Sequence, residues 1–532
     1  TTGVLNTLVG GLAGDALTTG DNNVALGYQA LSGDTQGDRS TAIGVQALAA
    51  QNFTTTTDVY NVAVGFAAGT SITTGSTNTL IGSLVGDAIT SGNSNTALGY
   101  QALSGDTQGD RNVAIGLQAL LAQNFTTTTD AYNIAIGYHA GHDITTGVQN
   151  TIVGGLAGDA LTDADHNVAI GTSALGADTL GSRAVAVGRN ALILQNFTTA
   201  TNNYNVAVGY NAGASVTTGI INTFLGGNSG DAVTTGNDNT ALGYNSLGAN
   251  TASNRNVAVG SEALAALNVT TDTHVYNTAV GYAAGSGMTT GILNTIMGGL
   301  AGLALTSGNN NTAIGYAALS TDTLGDRNVA VGVQALGAQN FTTTTDSYNT
   351  ALGYTAGASV TTGVSNTLVG GLAGDALTQG SRNEVMGQGA LSTDTLGSRS
   401  VALGYATLTT QNFTTATNSY NTAVGYVAGN SVTTGVRNTI LGSLAGDSLT
   451  DADDNVAVGV GALGADTLGS KSVAIGKDAL TDQNFSTATD SYNTAVGYFA
   501  GTNVTTGTLN TLVGGLTGDA LTSGNSNVAM GY

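Results

Sequence analysis

Apolar and polar positions alternate along this chain in very short bursts. In Asn23-Val24-Ala25-Leu26-Gly27 the spacing predicts a brief strand, with Val24 and Leu26 on one face and Ala25 on the other, closed by Gly. Helix loses to this reading, because Gly never goes more than about 20 residues without recurring and each would cost about 1 kcal/mol in a helix interior.

The burst is a repeat. Asn6-Thr7-Leu8-Val9-Gly10-Gly11 returns at 78, 150, 222, 294, 366, 438 and 510, a period of 72 residues at every step. Inside each period the motif N-[TV]-A-[VLI]-G marks sub-repeats of 17, 17, 21 and 17 residues, giving 30 rungs. All 30 carry the Gly of Gly10, Gly27, Gly44 and Gly65, and 26 open with Asn. The exceptions, Ser40, Ala184, Ser400 and Ser472, all open the 21-residue rung.

A unit this short cannot bury a core of its own and reads as one coil of a stack. The expectation is an all-β parallel β-solenoid running through 1–532 as one repeat domain, at about 4.8 Å per rung a rod roughly 140 Å long. The fixed Gly marks a corner with positive φ or a close backbone approach, and the Asn column stacks amide on amide. Since the chain starts at Thr1 without Met or a signal peptide, it is expected to be a segment of a longer fibre.

Composition sharpens this. Pro is absent although Gly numbers 80, as suits a ladder in which nearly every N–H is bonded. Collagen is excluded by the missing G-X-Y period, and disorder is disfavoured by 41% hydrophobic residues rich in Val, Ile and Thr. With no Cys there is no disulfide framework. A net charge of −22 argues against nucleic acid or an anionic membrane surface as partner, and no run of 18 apolar residues predicts membrane insertion. Seven of the 11 basic residues form one column: Arg39, Arg111, Arg183, Arg255, Arg327, Arg399 and Lys471. These read as solvated partners of carboxylates such as the neighbouring Asp38, with an inter-chain clamp as the alternative.

Ser472-Val473-Ala474-Ile475-Gly476-Lys477-Asp478-Ala479 resembles the SVAIGxxA repeat of YadA-like heads in trimeric autotransporter adhesins. Asn421 to Gly429 and Asn493 to Gly501, with the pattern N-T-A-V-G-Y-x-A-G, are similar to repeats of bacteriophage tail fibres and bacterial surface fibres. The resemblance implies a left-handed β-roll, a homotrimer, and a place in the shaft or head of an extracellular fibre on a cell or virion. The coils here are longer than the family's. The residues agree with trimerisation: Val62, Val64, Phe66 and Ile72 make a thin core, and Ala25, Ala42 and Ala63 offer a flat strip for close approach of chains.

Catalytic chemistry needs a constellation, and the chain offers columns; it reads as no enzyme and needs no cofactor. His139, His142, His166 and His274 stand where other repeats carry different residues. Glu262 and Glu384 lie far apart, and no aspartate pair is singled out for a tailspike-type depolymerase. Gly10 to Asp15 misplaces the third Gly of a calcium nonapeptide, and Asp163 and Asp451 begin loops lacking the later ligands, so calcium would be incidental. Thr18, Thr35 and Thr73 suggest an ice-binding Thr ladder, which the long rung interrupts every fourth coil.

That long rung is a candidate binding element, since four extra residues must leave the ladder and project. Tyr recurs at Tyr60, Tyr132, Tyr204, Tyr276, Tyr348, Tyr420 and Tyr492. Phe53, Phe125, Phe197, Phe341, Phe413 and Phe485 recur beside it, with Val269 in the seventh place. Two readings compete: a satellite core pinning the loop, or an array binding a surface glycan or receptor multivalently. Asn52, Asn124, Asn196, Asn268, Asn340, Asn412 and Asn484 also form N-x-[ST] acceptor patterns for glycosylation. A purely structural spacer filament is the alternative function.

Overall fold

The computed structural model describes residues 2–532, whose regular structure is all β-strand. The chain divides into two units. One runs to Ser261 and includes Asn268–His274; the other comprises Glu262–Leu267 and Val275–Tyr532. Each is a parallel β-solenoid with fifteen three-residue strands, Thr7–Val9 to Val257–Val259 in the first and Thr278–Val280 to Val528–Met530 in the second. Strands pair in register at an offset of 17 residues, as Thr7 with Val24, or 21 across the long coil, as Thr41 with Val62.

The opening Asn closes the 17-residue coils. Asn23 Nδ2 donates to the Gly37 carbonyl 2.8 Å away in its own coil, and Asn23 Oδ1 accepts the Ser40 backbone N–H of the next coil at 2.8 Å. Direct amide-to-amide bonds are secondary and longer, as between Asn78 and Asn61 at 3.3 Å. The fixed Gly meets both conditions expected of it. Gly476 has φ +134°, and a Cβ there would sit 2.3 Å from the Gly497 carbonyl oxygen.

The sidedness of the strand is the reverse of the expected one. Ala25, Ala42 and Ala63 are fully buried, while Leu26 is 45% exposed and Phe66 52% exposed. Of Val62, Val64, Phe66 and Ile72, Ile72 alone is buried in the core. The Ala strip therefore lines the inside and gives no approach to another chain. A 17-residue coil is narrow, so the middle strand position takes Ala in most coils. Where it takes a large residue, space is made six residues on. Phe224 faces Gly230, where a Cβ would lie 2.4 Å from the ring; Leu80 faces Gly86 in the same way. After Ala25 and Ala42 that site holds a buried Leu, Leu31 and Leu48, whereas after Ala63 it is Gly69, against which Leu48 and Leu80 of the neighbouring coils pack.

The tight coil also forces ordinary residues into the left-handed region. Gln29, Leu31 and Arg39 have φ of 58°, 53° and 63°, and the same places recur from coil to coil. Each such residue costs on the order of 1 kcal/mol, offset by the continuous ladder of backbone bonds.

Candidate functional site

The long coil does not project as a whole. Thr54 to Thr56 are exposed, but Thr57–Asp58 return to the stack and pair with Gly37–Asp38 as a short parallel ladder. A buried carboxylate anchors the loop. Asp34 and Gln51 are both fully buried. Gln51 Nε2 donates to Asp34 Oδ2 at 2.5 Å, and the Phe53 and Gly37 backbone N–H groups donate to Asp34 Oδ1 at 3.1 Å. Gln51 Oε1 in turn accepts from Asn61 at 2.9 Å. Asp106 with Gln123, Asp178 with Gln195, Asp322 with Gln339, Asp394 with Gln411 and Asp466 with Gln483 repeat the clamp. Desolvation pushes the Asp106, Asp178, Asp394 and Asp466 carboxyls above their ordinary value, the amide and backbone donors pulling the other way. The fourth super-repeat has Asn250 and Leu267 at these two places, losing the carboxylate and its amide donor together.

The two rings of the loop part company. Phe53, Phe125, Phe197, Phe341, Phe413 and Phe485 are all buried. A ligand reaches none of them without opening the coil. The tyrosines are about half exposed, Tyr60 at 50%. Each sits beside the basic column: the Arg39 guanidinium lies 5.5 Å from the Tyr60 ring centre and donates to its hydroxyl, and Lys471 stands likewise to Tyr492. Arg39, Arg111, Arg327 and Lys471 form ion pairs with Asp58, Asp130, Asp346 and Asp490 of the loop, rather than with the adjacent Asp38 type. Asp38 is used differently, its Oδ1 accepting the Asp21 backbone N–H at 2.6 Å. The acceptor-pattern asparagines serve the stack: Asn52 Oδ1 accepts from the Thr35 hydroxyl at 3.1 Å, and Asn268 Oδ1 from Thr251 at 3.0 Å. Elsewhere the Thr ladder spends its hydroxyl protons along the stack, Thr18 donating to the Thr35 carbonyl at 2.9 Å.

A second surface was hidden from the sequence reading by the reversed sidedness. Within each unit the outward first and third residues of the three-residue strands form two columns. The third is Val, Ile, Leu or Met in every strand, and the first is Thr, Val or Ile except at Glu384. Among the described residues, this sheet face thus carries a single charge on a chain whose net charge is −22. Ile136 is 37% exposed and Met386 53%.

One cluster breaks the repeat. His139 stacks on Tyr138 with ring centres 4.0 Å apart and on His142 at 4.6 Å, and His142 Nδ1 lies 2.6 Å from Asp143. Spacing alone gave no sign of this meeting. Asp159 sits one coil further, its carboxyl raised by desolvation. No group of three or more His, Asp or Glu among the described residues is arranged to hold a metal ion, and no helix there is long and apolar enough to cross a membrane. No protein-family model matches the chain, and no curated protein matches it.

Proposed function

We propose that this chain is a segment of an extracellular trimeric fibre, a shaft or head whose copies associate through the aliphatic sheet face and whose loop edge displays tyrosine for multivalent contact with a surface glycan. The observation that carries the reading is the nearly charge-free face. Three-residue strands spaced about 4.8 Å apart give fifteen of them roughly 700 Å² of flat surface, near the 800 Å² or so that each partner contributes to a standard stable interface. An apolar patch of that size on a free monomer favours association. The tyrosines recur once per super-repeat on the opposite kind of surface, polar and held by Arg or Lys. Weak contacts in such a series gain through effective concentration.

The chain has no Cys, so single cysteines report on the interface. Leu242→Cys on the sheet face should form inter-chain disulfides under mild oxidation, whereas Thr55→Cys on the loop should not. Equal cross-linking at both sites, or at neither, would remove the sheet face as the contact.

A further inference from the structure

At one corner the sixth super-repeat gains a basic residue and lacks the acids found there in the first. In five of the six other super-repeats that align here, the residue one coil before the basic column is neutral or acidic: Asn22, Ser94, Asp238, Asn310 and Asp454; in the third it is His166. In the sixth it is Arg382, placed over Arg399 by the register that pairs Glu384 with Val401. The acids that surround Arg39 are Asp21, Asp38 and Asp58; their counterparts around Arg399 are Ser381, Ser398 and Asn418. A corner that is net acidic in the first super-repeat is thus dibasic in the sixth, within a chain of net charge −22.

Neither arginine is neutralised. Arg437 is held by Asp454 through Nε at 2.6 Å and a second nitrogen at 2.9 Å, and Lys471 by Asp490 at 2.6 Å. Arg382 and Arg399 form no ion pair among the described residues, nor does Glu384 on the adjoining sheet face. Arg382 is exposed, and Arg399 bonds to the hydroxyl of half-exposed Tyr420, 5.3 Å from its ring centre. Consecutive coils set the two backbones about 5 Å apart.

We propose that Arg382, Arg399 and Tyr420 form a binding site for an acidic glycan, the guanidinium groups taking sulfate or carboxylate groups and the tyrosine ring a sugar face. Guanidinium forks match such oxyanions bidentately, and an aromatic ring beside them adds the apolar contact that a free anion lacks. The site names the ligand class for one place on the fibre proposed above; its chemistry does not depend on trimerisation.

The test is titration of the full chain with a heparin-derived tetrasaccharide at low salt, read by calorimetry. Saturable binding should weaken at least tenfold in Arg382→Asn, which restores the residue of the first and fifth super-repeats, and vanish in Arg382→Asn with Arg399→Gln, at unchanged melting temperature. Converting the fifth super-repeat with Asn310→Arg, Asp326→Ser and Asp346→Asn should add a second site. Binding indifferent to both arginines overturns the proposal. So does equally tight binding of inorganic phosphate or anionic lipid vesicles, which would make the site a general anion patch. Loss of cross-linking at the sheet face with glycan binding intact would sink the fibre reading and leave this site standing.

Discussion

The aliphatic sheet face and the loop edge belong to the same coils and are built on opposite rules. On the face, thirty strands admit one charge and vary only among Thr, Val, Ile, Leu and Met. At the edge, each of the seven complete super-repeats carries a basic residue and a tyrosine, and charges change sign from copy to copy. A nearly charge-free surface of this extent favours association, whereas charges that differ between copies suit a solvent-facing edge, where ion pairs are worth under about 1 kcal/mol and their exchange costs little. Under the proposed function, the contrast separates the face that would join copies of the chain from the edge that would meet their surroundings.

The sharpest way to break this comparison is at neighbouring residues of one strand. Ala135 points inward and is fully buried, whereas Ile136 points outward. Ala135→Glu should unfold the surrounding coils, losing 5 kcal/mol or more for a charge buried without a partner (about the upper end of such penalties), while Ile136→Glu should leave the fold and weaken association. Thermal melts with sedimentation of the two variants decide this, and similar behaviour of both would refute the assigned sidedness. Gly476→Val should follow closely, at several kcal/mol, because the new side chain meets the Gly497 carbonyl and φ is +134°.

Next in size is the buried clamp. Gln123→Leu alone leaves Asp106 without its amide donor and should cost about 2–4 kcal/mol. Adding Asp106→Asn should recover much of that, because the fourth super-repeat carries this pair as Asn250 and Leu267. Additive losses in the double variant would contradict the coupling.

The pH response should be opposite to ordinary acid denaturation. Asp106, Asp178, Asp394 and Asp466 have folded values raised by desolvation above about 3.8, so the folded chain takes up protons more readily than the unfolded one. Stability should therefore rise as pH falls from neutrality through the raised values towards 3.8. Asp454, held low by Arg437, opposes this with one exposed pair. A melting temperature that falls steadily between pH 7 and 5 would contradict the placement of these carboxylates. The smallest effect belongs to the edge: Arg39→Ala should leave the melting temperature nearly unchanged, as befits a solvent-screened ion pair with a cation–π contact.

Much of the fold was legible because stacking writes itself as a period. The 72-residue spacing and the Gly corner follow from what an in-register ladder requires of each rung; the Asn column was legible as a column, but the pattern points to amide stacking and gives no sign of the bond back to its own coil. The direction of the strand was not legible, because alternation places Ala25 opposite Leu26 without saying which is inside, and hydrophobicity alone favours the wrong choice. Coil width decides it, and width depends on left-handed corners at residues such as Leu31 and Arg39, which no propensity anticipates. At the loop, the tyrosine column was visible and the fate of the Phe ring was not. Its burial depends on Asp34 and Gln51, whose coupling shows in the sequence only through the joint change to Asn250 and Leu267.

The most direct test of the central claim, that copies meet through the aliphatic face, is the mass of the native assembly beside that of a face variant. Light scattering should give three times 52.3 kDa for the native chain and a single 52.3 kDa for Ile136→Glu combined with Leu352→Glu, with both remaining folded by circular dichroism. A folded native monomer, or a trimer unmoved by both substitutions, would contradict the account.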